Sequence, residues 1–254
     1  MTKNDQRYVL VTGANGGIGR ATVKHFDSMG WTVIGIDMNP CDYPFPEAGL
    51  FIQTNIAHPE NVIKLFKDVA KFTSVLHALV NNAAVQIAKP LLETTLEEWD
   101  SLMDVNLRAI FYSVQQAYPL LKPVQGAIVN VSSVHAVATS ADIASYAASK
   151  GALLAMTRAM AIEFAGDNVR VNTILPGAVD TPMLDAGLSR GHVSGGSLDE
   201  RKAELASKTV IGRVGTPDEI AHAIYFLADN EQSSFMTGQP MIVDGGATIR
   251  LSTE

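Results

Sequence analysis

Tyr146 and Lys150 stand four residues apart in "SYAASKGALLAM", Ser145 to Met156, so a helix here carries both side chains on one face. A phenol beside an ammonium is a proton-transfer pair. Bringing the phenol from about 10 to about 7 requires about 4 kcal/mol of preferential stabilisation of the tyrosinate, and a neighbouring ammonium is the right kind of group to supply it. The same spacing also occurs on ordinary helices, so the pair needs support from elsewhere in the chain. Upstream, "GAIVNVSS" ends in Ser132 and Ser133, where a hydroxyl at a strand's carboxyl edge either hydrogen-bonds a substrate carbonyl or merely terminates the strand.

A second constellation lies near the start. "VTGANGGIGRA" spaces Gly13, Gly17 and Gly19 as G-x-x-x-G-x-G, between a strand-like run and a helix-like one. Glycines at a strand's end leave room for a pyrophosphate against the backbone, and the helix that follows offers unpaired N–H groups and the positive end of its dipole. Asp37 ends the next strand-like run, where a carboxylate accepts from both hydroxyls of an adenosine ribose and repels a 2'-phosphate. Met38, Asn39 and Pro40 offer no cation for such a phosphate; Arg20, just inside the helix, is either its ligand or a solvated surface residue. The expected cofactor is therefore NAD(H) in preference to NADP(H), and no metal ligands are assigned.

These residues need a frame. Apolar runs at 8–11, 31–36, 50–53, 75–80, 127–131, 169–175 and 241–243 read as seven strands. Helical patterns lie between them, from Ile18 to Met29 closed by Gly30, and from the capping boxes Thr95/Glu98 and Thr216/Glu219, with Pro217 at a first helical position. The alternation predicts one α/β domain over residues 1–254, a Rossmann-type doubly wound parallel sheet with helices on both faces. "GLSRGHVSGG", Gly187 to Gly196, has no periodicity and follows the sixth strand, which suggests a mobile substrate lid around residues 183–210.

With 254 residues, 47% of them hydrophobic, and a formal charge of -7, the chain has a core to bury and no basic patch for nucleic acid or an anionic membrane. Cys41 is the single cysteine, and neither a signal peptide nor a membrane-spanning run is visible, which points to the cytoplasm.

With these motifs in order, the chain resembles the classical short-chain dehydrogenase/reductase family over essentially its whole length. The family's T-G-x-x-x-G-x-G stands at Thr12 to Gly19, its N-N-A-G at Asn81-Asn82-Ala83-Ala84, its Y-x-x-x-K at Tyr146 to Lys150 and its P-G turn at Pro176-Gly177. The family's catalytic serine lies thirteen positions before the tyrosine and its catalytic asparagine forty before it, which selects Ser133 and Asn106. The resemblance implies Tyr146 as general acid/base and Ser133 as the group that polarises the carbonyl. It makes Lys150 the group that lowers the tyrosine pKa and holds the nicotinamide ribose, and Asn106 the anchor of a relay water. It implies cofactor contacts from Gly13, Asn15, Gly17, Ile18, Gly19, Asp37, Asn55, Ile56, Asn82, Tyr146 and Lys150, with Val179 and Thr181 on the nicotinamide carboxamide. Ala84 departs from the final glycine of N-N-A-G, and Asn55 replaces a frequent aspartate, though an amide oxygen also accepts.

The leading functional reading is an NAD(H)-dependent oxidoreductase interconverting a secondary alcohol and a ketone. A 3-oxoacyl thioester reductase and a non-catalytic NAD-sensing protein are the alternatives. His135, Met183 and Leu184 join Ser133 and Tyr146 as candidate substrate contacts, with Leu188, Asp142 and His192 nearby in sequence. The small residues Ala147, Ala148, Gly151, Ala152 and Ala155, together with the resemblance, point to a homo-oligomer, a tetramer or dimer.

Overall fold

Val9, Leu10 and Val11 have no exposed surface, as expected of a strand covered on both faces, and the computed structural model builds a sheet of seven strands, of which the two edge strands are part-exposed. It describes residues 6–189 and 196–249. In chain order the elements are β1 (Tyr8–Thr12), α1 (Gly17–Ser28), β2 (Thr32–Asp37), β3 (Leu50–Gln53), α2 (Pro59–Phe72) and β4 (Ala78–Asn81). Then come α3 (Leu96–Met103), α4 (Ala109–Leu121), β5 (Ala127–Val131), α5 (Ala144–Phe164) and β6 (Arg170–Pro176). The last are α6 (Pro182–Leu188), α7 (Leu198–Ser207), α8 (Pro217–Ala228), the short α9 (Asn230–Ser233) and β7 (Pro240–Val243).

All pairings are parallel, in the order β3-β2-β1-β4-β5-β6-β7. The direction of winding reverses between β1 and β4, and in such sheets ligands bind at the carboxyl edge beside that reversal. Period-two alternation sends Leu10, Ile34, Leu79 and Ile128 into one core with side chains of α2, α4 and α5. Val9, Val11, Val33, Val80 and Val129 enter the other with α1 and α8.

The seven expected strands are all present, and the largest change in bounds is at the fourth. The 75–80 run yields a strand only from Ala78, although His77 already bonds the backbones of Tyr8 and Ala127. The capping boxes at Thr95 and Thr216 both form. A third, Ser197 with Glu200, opens α7 inside the 183–210 segment expected as a lid. That segment therefore holds two helices, and α6 already takes in Gly187 and Leu188; residues 190–195, with His192, lie outside the described residues. Among the described residues no helix is long and apolar enough to cross a membrane.

Candidate active site

At the reversal of the sheet, β1 ends in Thr12 and the chain turns through Gly13 with φ +66°, a conformation that disfavours a side chain. A Cβ at Gly13 would lie 2.8 Å from Ala83 Cα, and one at Gly19 would lie 1.9 Å from the Gly13 carbonyl oxygen. Gly17 opens α1 against the methyl of Thr181, and Ile18 follows it in the first turn. The Gly16 N-cap lends α1 no side-chain bond, and its first turn holds no acid. The Asn15 side-chain oxygen is buried without a partner. A backbone cradle with an uncapped helix start fits the pyrophosphate of a dinucleotide, while the orphaned Asn15 oxygen suits a donor such as a ribose hydroxyl.

Asp37, at the end of β2, accepts from Asn15 N at 2.9 Å and Asn39 N at 3.0 Å, which aims its carboxylate beside the glycine turn. Asn82 donates to the carbonyls of Thr12, at 3.0 Å, and Gly13, at 3.2 Å, while the Thr12 hydroxyl accepts from the N–H groups of Asn82 and Ala83. The N-N-A-A segment thus clamps β1 to β4. The Asn55 side-chain oxygen accepts from Ala57 N at 3.0 Å, and Ile56 is buried in the core with Ile34 and Ile36, so its side chain is committed to packing. Val179 is buried and bridges Gly215, and the Thr181 hydroxyl caps α6 through Leu184 N at 3.3 Å.

The residues expected to transfer protons meet at the carboxyl end of β5. The two serines differ in their contacts: Ser132 Oγ donates to the Lys150 carbonyl at 2.9 Å, whereas Ser133 Oγ accepts from His135 N at 3.2 Å and lies near enough to the Tyr146 phenol to favour its anion. Tyr146 is 8% exposed, and burial pushes its phenol up to about 12 while Ser133 pulls the other way. Lys150 is 2% exposed, and burial pulls its ammonium down to about 8. Its Nζ donates to the Val131 carbonyl at 2.9 Å and lies 5.5 Å from the centre of the Tyr146 ring. In this arrangement Lys150 is turned to the backbone of β5.

Asn106 has no exposed surface and sits in a π-helical turn, Asp104–Arg108, that joins α3 to α4. The side chain works as a two-way clamp: its oxygen accepts from Val85 N at 2.9 Å and its amide donates to Val85 O at 2.9 Å. The other amide proton reaches Ser149 Oγ at 3.1 Å, and Ser149 donates to the Tyr146 carbonyl at 2.7 Å. With both amide protons committed, Asn106 can hold a water only through an oxygen. Such π turns concentrate at functional sites, and this one brings α3 and α4 against the catalytic helix α5.

Ser149 was not legible as a site residue, although its place three positions after Tyr146 is the available signal. Lys202 of α7 was missed as well; it pairs with Asp180 and Asp185 at 2.7 Å each and ties α7 to the Val179–Thr181 segment. His135 packs its ring edge-on to Tyr146 at 5.9 Å and shares a 3.0 Å hydrogen bond with Thr139, and burial lowers its pKa. It is thus beside the site and favoured in its neutral form. Met183 is exposed and Leu184 half-buried on α6, while Leu188 is buried. No group of three or more metal-ligating side chains occurs among the described residues.

Comparison with known proteins agrees with this geometry. A family model described as enoyl-(acyl carrier protein) reductase matches residues 13–248. The 3-oxoacyl-[acyl-carrier-protein] reductase of Thermotoga maritima is 36% identical over 250 residues, covering 94% of this chain and 97% of that one. The ligand-free aldohexose dehydrogenase of Thermoplasma acidophilum superposes with a TM-score of 0.91 at 30% identity, over 97% of this chain and 96% of that one. A 4-hydroxyisoleucine dehydrogenase complexed with NADH does so with a TM-score of 0.85 at 27% identity, over 97% and 100%.

Proposed function

The chain belongs to the short-chain dehydrogenase/reductase family of oxidoreductases, and from that premise we propose that it is an NAD(H)-dependent enzyme interconverting a secondary alcohol and a ketone. The observation that carries the reading is the gathering of Ser133, buried Tyr146 and buried Lys150 at the carboxyl edge of β5, beside the glycine cradle at the reversal of the sheet. Tyr146 donates a proton to the ketone oxygen in reduction and removes it from the alcohol in oxidation, while Ser133 holds that oxygen. Lys150 holds the nicotinamide ribose and favours the tyrosinate by charge. Asn106 positions α5 through Ser149 and anchors the relay water by an oxygen. A bound nicotinamide dinucleotide supplies or accepts the hydride. Gly13, Asn15, Gly17, Ile18, Gly19, Asn55, Ile56 and Asn82 hold its adenosine and pyrophosphate, with Ile56 acting through its backbone, and Val179 and Thr181 hold its carboxamide. His135, Met183 and Leu184 line the substrate side, under a cover formed by α6 and α7. A panel of secondary alcohols with NAD, followed by NADH absorbance, tests the reading; no turnover on a broad panel would overturn it.

Asp37 carries the cofactor preference. Asp37→Ser removes a carboxylate from the ribose site, and the ratio of NADP to NAD efficiency is expected to rise by about tenfold or more. Equal efficiency of the unaltered enzyme with both cofactors would defeat the assignment. The similarity to a 3-oxoacyl thioester reductase supports a second reading, reduction of a 3-oxoacyl thioester, and turnover of such a thioester in preference to simple ketones would select it.

We further propose a homo-oligomer. Ala148 and Ala155 of the small-residue face are exposed on α5, whereas Ala147, Gly151 and Ala152 are half-buried within the subunit. Light scattering is expected to give a dimer or tetramer, and a 27.1 kDa species alone would refute it.

A further inference from the structure

Arg20 sits in the first turn of α1, immediately after Gly19 of the glycine cradle, the right place for a cation to meet a ribose 2'-phosphate, and it is neither free nor simply solvated. Its Nε donates to the Asn15 carbonyl at 2.8 Å, and its Nη2 donates to the Asp42 carboxylate. The guanidinium carbon lies 4.9 Å from the centre of the Tyr43 ring. Tyr43 in turn donates to the Ala14 carbonyl at 3.0 Å, and Asn15 Nδ2 donates to the Pro40 carbonyl at 2.8 Å. The loop after β2 is therefore bolted to the glycine turn at several points. Asp37 belongs to the same cluster through Asn15 N.

We propose that Asp42 is a cofactor-specificity residue that acts through Arg20, holding its guanidinium on the outer side of Tyr43 and away from the ribose site. The inference rests on the assignment of Asp37 to the adenosine ribose. Arg20 is then taken up by Asp42 while Asp37 stays on the backbone of the glycine turn, so an incoming 2'-phosphate meets net negative charge although an arginine is within the cluster. A guanidinium released from its carboxylate matches phosphate geometry well. The Asp42 side chain is 63% exposed and that of Arg20 39%, so the pair is weak in itself. Its loss leaves the loop held by Tyr43 and Asn15.

The test is nucleotide affinity, read from the fluorescence of NADH and NADPH on titration with Asp42→Asn, Asp37→Ser, the double variant and each of these carrying Arg20→Ala. Thermal unfolding checks that every variant is folded, and Asp42→Ala stands in should the asparagine variant prove unfolded. Asp42→Asn is expected to tighten NADPH binding by about fivefold or more while leaving NADH within about twofold, with the gain shrinking at high salt. The gain is expected to be larger in the Asp37→Ser background and to vanish with Arg20→Ala. Unchanged NADPH affinity in both Asp42→Asn proteins, or a gain that survives Arg20→Ala, would overturn the proposal while NADH binding by the unaltered protein left the cofactor reading standing. Failure of the unaltered protein to bind either nucleotide would overturn both.

Discussion

Tyr146→Phe is expected to lower turnover by two to four orders of magnitude while leaving NADH affinity within a few-fold, the scale usual for losing a general acid or base. The substitution deletes one oxygen, and the ring keeps its packing against His135, Leu102 and Ile143. The fold and the glycine cradle therefore persist. The lost oxygen is the one whose anion Ser133 favours, and phenylalanine can neither give nor take a proton there. Ultraviolet titration separates the roles further. In the protein alone burial holds the phenol up to about 12, so the difference between unaltered protein and Tyr146→Phe should show no tyrosinate below pH 10. Saturating NAD is expected to bring that signal to lower pH, because the positive nicotinamide and the Lys150 ammonium both favour the anion. The oxidation rate should rise with pH through the same transition. Turnover of Tyr146→Phe at the unaltered rate would show that the proton travels by another group.

The frame and the candidate site residues were legible because each leaves a local signature. Buried parallel strands are short apolar runs, and the glycine cradle needs small residues at Gly13 and Gly19 for clashes that any Cβ would create. Tyr146 and Lys150 share a helix face by their spacing, and Ser132 and Ser133 stand at a strand's end, where the family resemblance selects Ser133. Asn106 reads in the sequence as a polar residue inside a helix, and only the π turn shows how its side chain reaches Val85 and Ser149 at once. What stayed hidden depends on contacts between distant segments. Arg20 looked like either a phosphate ligand or a surface residue, since nothing local ties it to Asp42, twenty-two positions away. Lys202 similarly reaches back to Asp180, and the direction in which Lys150 Nζ points is set by the Val131 carbonyl on another element. Protonation is the least local property of all, because burial moves Tyr146 and Lys150 in opposite directions from their ordinary values, and burial belongs to the folded chain.

That displacement makes Lys150 a residue whose removal should stabilise the fold while disabling the enzyme. Folding takes its ammonium from water to a site where its Nζ bonds one carbonyl, and the pKa falls from 10.5 to about 8. The fall corresponds to about 3 kcal/mol of lost stability at neutral pH. Lys150→Met keeps a long side chain in the same space without the charge, so a gain of about 1–3 kcal/mol is expected at pH 7. For a chain of this length that raises Tm by roughly 2–8 °C. The pH dependence carries the sign. Between about pH 8 and 10.5 the unfolded chain still holds the proton that the folded one has released, so the unaltered protein gains stability as pH rises across that window. Its deficit relative to Lys150→Met is therefore full below pH 8 and closes above pH 10.5. Melting curves of both proteins at pH 7, 8, 9 and 10 read this directly. Turnover of Lys150→Met is expected to fall by two to four orders of magnitude, and NADH affinity with it, because the same ammonium both favours the tyrosinate and holds the ribose. A variant no more stable than the unaltered protein at pH 7 would mean that the ammonium is compensated where it lies. A stable variant that still turned over would separate Tyr146 from its supposed partner.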